Sequence, residues 1–101
     1  MAEAFRLAGA QVRGTPATGD FGADLIVQWN GASIAVQCKH HSSPVGIKAV
    51  QEALSARPYY GTHHAEVVVS SGYTAAAIDL ARRSGVRLTM LRRDGQLHKV
   101  V

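Results

Sequence analysis

The stretch Ala23-Asp24-Leu25-Ile26-Val27-Gln28-Trp29-Asn30-Gly31-Ala32-Ser33-Ile34-Ala35-Val36-Gln37-Cys38-Lys39 decides the fold. Asn30-Gly31 lies near its middle, and both residues tolerate the positive φ that a two-residue hairpin turn needs. Residues 23–29 read as one strand and residues 32–39 as its antiparallel return, with Ile34 and Val36 on one face. Folding about the turn sets the start of the first strand beside the end of the second. Asp24 stands six residues before Asn30, and Gln37 six after Gly31. Gln37 and Lys39 share a face because side chains alternate with period two. An acid, an amide and an ammonium therefore converge at one end of a sheet. The Gly-, Thr- and Pro-containing stretch at 14–22 reads as a loop beside them.

Outward from the hairpin the elements are short and alternate. Residues 2–9 read as the end of a helix that the chain enters partway, with Gly9 as its stop. A polar loop at 40–44 leads into a helix over 45–57, with Ile47, Val50 and Leu54 on one face and Pro58 marking its end. Residues 65–70 form a buried-type strand. Thr74 reads as the N-cap of a helix through Arg83, and Gly85 as its C-terminal cap. Residues 86–91 alternate as a strand, and Asp94-Gly95 turns into a short strand at 97–101. This order predicts an α/β fold, a mixed sheet flanked by helices on both faces.

The bulk numbers narrow the function. A chain of 101 residues reads as one domain, and 47% hydrophobic with 18% charged residues is a globular composition. No apolar run approaches a membrane span and the first residues lack a signal peptide's apolar core, so a cytoplasmic protein is expected. Cys38 is the sole cysteine, which excludes an internal disulfide and a thiolate zinc site built from this chain alone. Its side chain is expected to point into the core. The histidine pairs 40–41 and 63–64 fit no compact zinc spacing.

A net charge of +4 favours a polyanionic partner. Lys39, His40, His41 and Lys48 put basic character beside the converging residues, and His40 and Lys48 are candidate DNA contacts. Ser71, in the Ser70-Ser71-Gly72 turn before a helix N-terminus, is another, since backbone amides there suit phosphate. An ordinary capped turn is the alternative. Arg82, Arg83, Arg87, Arg92 and Arg93 read as a solvated helix face and strand edge. Trp29, Tyr59 and Tyr60 read as core or dimer packing.

Phosphodiester hydrolysis needs a cation to neutralise the phosphate, a positioned water and a stabilised leaving oxygen. Asp24 is a hard oxygen ligand for Mg²⁺, with Mn²⁺ as a substitute. Gln37 adds a side-chain carbonyl, and the backbone carbonyl of Cys38 is a further candidate ligand. Lys39 is placed to hold the water and offset charge on the phosphoryl group.

Gly19-Asp20-Phe21-Gly22-Ala23-Asp24-Leu25, Val36-Gln37-Cys38-Lys39 and Val69-Ser70-Ser71-Gly72-Tyr73-Thr74 together resemble the catalytic domain of Mrr-type (type IV) restriction endonucleases, in the PD-(D/E)xK nuclease superfamily. The resemblance spans roughly residues 4–91. It implies a restriction-endonuclease-like fold, Mg²⁺ dependence and DNA cleavage. It makes Asp24 the metal-binding acid, Lys39 the catalytic lysine, and Gln37 the occupant of a position usually held by Asp or Glu. Gln51, on the following helix, and Glu3, on the first, are implied accessory residues. Without a recognition module, a homodimer placing two sites on the two strands is expected. The neutral Gln37 and the lack of a well-spaced first-helix acid leave open a second reading, a catalytically weakened DNA-binding or regulatory module.

Overall fold

The structure, a computed structural model, describes residues 2–14, 23–40 and 42–101. The elements are α1 (Ala2–Leu7), β1 (Gln11–Gly14), β2 (Leu25–Trp29), β3 (Ala32–Lys39), α2 (Ile47–Tyr60), β4 (His64–Val69), α3 (Ala75–Ser84), β5 (Arg87–Leu91) and β6 (Leu97–Lys99). Asn30 and Gly31 take φ of 52° and 78°, the doubly positive turn that matches strand twist. β2 and β3 then pair antiparallel, with Leu25 opposite Val36 and Trp29 opposite Ala32.

The six strands order in the sheet as they do in the chain, β1-β2-β3-β4-β5-β6. The pairs β3–β4 and β4–β5 are parallel, and the other three are antiparallel. Parallel neighbours need long crossovers, which α2 and α3 supply. Alternation along β4 separates the two faces. Ala65, Val67 and Val69 pack with Ala49, Val50 and Ala53 of α2 and Ala77 and Ala81 of α3. Val68 packs the other way, with Phe5 of α1 and Val27, Ile34 and Val36 of the hairpin. Helices thus cover both faces, as the periodicity predicts. Among the described residues no helix is long and apolar enough to cross a membrane.

Three expectations are corrected. β1 has no counterpart in the sequence reading, because the four residues Gln11-Val12-Arg13-Gly14 are too few for alternation to mark a strand. Pairing with β2, from Gln11–Gln28 to Gly14–Leu25, makes it a strand. Pro58 does not end α2, which runs to Tyr60 and is closed by Gly61 at φ 67°. A proline in the last turn forfeits one backbone hydrogen bond, and the Gly61 and Thr62 N–H groups restore order by donating to the Arg57 carbonyl. The buried stripe of α2 is Ala49, Val50, Ala53 and Ala56, whereas Ile47 is 42% exposed. Small residues prevail there because the helix packs against both the sheet and α3. The loop sequence Gly19–Gly22 and His41 lie outside the described residues.

Candidate active site

Asp24 is held against the end of β3 by two hydrogen bonds. Its N–H donates to the Val36 carbonyl at 2.8 Å, and the Cys38 N–H donates to its Oδ2 at 2.8 Å. The hairpin therefore brings the acid to the Gln37–Lys39 end of β3, as the spacing about Asn30-Gly31 predicts. Asp24 is exposed, so this carboxylate faces the solvent rim of the sheet.

Gln37 is 5% exposed and points to the α2 face. Its Nε2 donates to Glu52 Oε2 at 2.5 Å. Its Oε1 is buried and has no hydrogen-bond partner among the described residues. The amide orientation follows: Glu52 takes the donor end, and the acceptor end is left over. Lys39 Nζ lies 3.7 Å from the same Glu52 oxygen, with both side chains about a third exposed or less. Glu52 thus bridges the amide and the ammonium from the neighbouring helix.

The sequence reading chose Gln51 and missed Glu52. Each helical residue turns about 100° from the last. Glu52 lies three residues after Ala49 and four before Ala56, on the buried stripe, while Gln51 is exposed. The run of alanines at 49, 53 and 56 was the available signal. Glu3 is not brought to the cluster: it is exposed on α1 and pairs with Arg6 at 3.9 Å.

His40 and Lys48 are exposed, at the end of β3 and in the first turn of α2. The Ser71 hydroxyl donates to the Ser43 carbonyl at 2.9 Å, joining the loops that lead into α2 and α3. Val45 and Tyr73 bridge the same two loops, and Thr74 caps α3 by accepting from the Ala77 N–H. The Cys38 thiol is pushed up to about 11 by burial and, secondarily, by the Asp24 charge, so it stays protonated and inert. A cavity of about 730 Å³ lies elsewhere, on the α1 face, where Phe5, Trp29, Glu66 and Leu97 line it.

Among the described residues no three His, Cys, Asp or Glu side chains cluster as a metal site. A cation here would rest on mixed oxygen donors: the Asp24 carboxylate, Gln37 Oε1 and the Cys38 carbonyl. The residues fit such a group. A buried amide oxygen without a donor is the kind of acceptor a hard cation satisfies.

Comparison with known proteins identifies a family and a similar fold. The Mrr catalytic-domain family, described as restriction endonuclease, matches residues 1–95. The crystal structure of AF1548, a protein of unknown function, is similar with a TM-score of 0.76 at 15% identity. The likeness covers 88% of this chain and 53% of that one, so the chain spans about half the length of that structure. At this identity the likeness concerns the fold. A search of curated proteins finds no match.

Proposed function

Given that the chain belongs to the restriction endonuclease family, we propose that it is a Mg²⁺-dependent endonuclease of the Mrr-like restriction type that hydrolyses phosphodiester bonds in DNA. The observation that carries this reading is the buried Gln37 Oε1, without a partner among the described residues, at the strand end shared with Asp24 and Lys39.

Asp24, Gln37 Oε1 and the Cys38 carbonyl would hold the cation. Backbone N–H and C=O of one strand residue point to the same side, so a Cys38 N–H bonded to Asp24 turns its carbonyl toward that acid as well. Bound Mg²⁺, or Mn²⁺ in its place, would neutralise the phosphate and acidify a water. Lys39 orients the attacking water and offsets charge growing on the phosphoryl oxygens. Glu52 keeps both neighbours in place, fixing the amide through Nε2 and the ammonium through an ion pair. His40, Lys48 and the Ser71 turn lie at the same rim, where backbone phosphates would pass. Cutting both strands needs two such sites, which a homodimer would supply. A nuclease acting on cellular DNA would work in the cytoplasm.

Plasmid cleavage tests the reading. Wild type is expected to nick supercoiled DNA with Mg²⁺ or Mn²⁺. Asp24→Ala and Lys39→Ala are each expected to lose about 10³-fold or more in rate while still binding DNA. Wild type that binds DNA as the variants do, and cuts with neither ion, would leave a binding module in place of an enzyme.

A further inference from the structure

The three parallel strands end at one rim. Lys39, Val69 and Met90 lie in register across β3, β4 and β5. Asp24 and the β5–β6 turn, residues 92–96, sit at this same rim, because β2 and β6 run antiparallel to their neighbours. The N-termini of α2 and α3 open there too, since each helix follows a strand that ends there.

Charges are placed differently at the two ends of the helices. At their C-termini, Arg57 and the pair Arg82 and Arg83 complement the negative end of the helix dipole. Arg83 also pairs with Asp79 at 3.1 Å. At their N-termini neither helix has an acidic residue in its first turn, and α2 carries Lys48 there instead. The α2 N-cap, Gly46, makes no side-chain capping bond. Arg92 and Arg93 add two exposed cations to this rim, and neither enters an ion pair among the described residues. The nearby Asp94 is engaged within the turn, accepting from the Gln96 N–H at 2.9 Å. Lys39 is compensated by Glu52, and Asp24 and Asp94 also lie at this rim, but Lys48, Arg92 and Arg93 enter no ion pair among the described residues, and an external polyanion can compensate them.

We propose that Arg92 and Arg93, on the β5–β6 turn, extend the DNA-contact surface along this rim, holding backbone phosphates on one flank of the bond cut at Lys39. The proposal rests on the nuclease reading for its substrate. Strand spacing sets the scale: two strands across and two residues on, Arg92 lies about 12 Å from Lys39. Measured along the duplex axis, at about 3.4 Å per phosphate of one strand, that distance reaches about three phosphates. These contacts read charge and spacing rather than sequence.

The test is the salt dependence of binding to a labelled DNA duplex in EDTA, where no cutting occurs. The Arg92→Ala/Arg93→Ala variant is expected to flatten the plot of log affinity against log salt by up to about 2, near 0.9 per lost contact. Arg92→Lys/Arg93→Lys should restore the slope, and Arg82→Ala, at the opposite rim, should match wild type. A slope for the double alanine variant equal to wild type overturns the inference. The two readings fail separately. Asp24-dependent cutting by wild type with unchanged slopes removes the interface and leaves the nuclease. Changed slopes without any cutting remove the nuclease and leave the interface.

Discussion

Gln37 and Glu66 are buried polar side chains on neighbouring strands, 5% and 6% exposed. They face opposite sides of the sheet, as the register Val36–Glu66 and Gln37–Val67 requires. Gln37 lies near the end of β3, where a helix acid takes its Nε2 and its Oε1 has no partner among the described residues. Glu66 lies midway along β4, next to Arg87 and Thr89 but in no ion pair among the described residues. Burial pushes its carboxyl pKa up, and the Thr89 hydrogen bond and the Arg87 charge only partly oppose this. Equal burial thus has unequal consequences. At the rim of parallel strands, a buried polar atom can meet a ligand from outside. In the middle of a strand, it makes stability depend on pH.

Four substitutions press on this contrast, from the largest effect to the smallest. Gln37→Leu removes the free oxygen and leaves Glu52 without its amide donor. Cleavage is expected to fall about 100-fold, with a raised requirement for Mg²⁺ in titrations of initial rate. Glu52→Gln keeps an acceptor for Gln37 but removes the charge facing Lys39. A drop of about tenfold in single-turnover rate is expected, with circular dichroism unchanged. A wild-type rate in either variant would place Gln37 with Glu66 as a purely structural burial.

Glu66→Gln should leave cleavage alone and change stability. With its pKa raised above the ordinary glutamate value of 4.5, Glu66 keeps its proton longer in the folded chain than in the unfolded one. Stability is therefore fullest below that value and declines as pH rises through the folded pKa. The variant lacks this decline. Its melting temperature should exceed wild type at pH 8 by several degrees, and the gap should close near pH 4. A gap that widens toward acid would contradict the assignment. Thr89→Val, the smallest change, removes a hydrogen bond that favours charged Glu66. It should cost about 1 kcal/mol at neutral pH and less in acid, read from urea unfolding.

Asp24, Gln37 and Lys39 were legible in the chain because a hairpin is a local structure. Asn30-Gly31 defines the turn, and alternation then dictates which residues meet. The helix capped by Thr74 and closed by Gly85 was legible for the same reason, since both signals act within a turn of their residues. Glu52 was not. Choosing between Gln51 and Glu52 means knowing the rotation of α2 about its axis, which its contacts with the sheet and α3 decide. Nor was β1, whose strand character comes from β2. Arg92 and Arg93 read as a solvated edge until parallel pairing put their turn at the same rim as Lys39.

The sequence alone determined the hairpin, the strand and helix order, and the acid, amide and lysine at one strand end. Each rests on interactions between residues close in the chain. Only the tertiary structure decided which acid of α2 meets Gln37, which end of that amide is left free, and which cations share the rim. Those outcomes depend on how distant segments pack, and the linear pattern carries no record of that geometry.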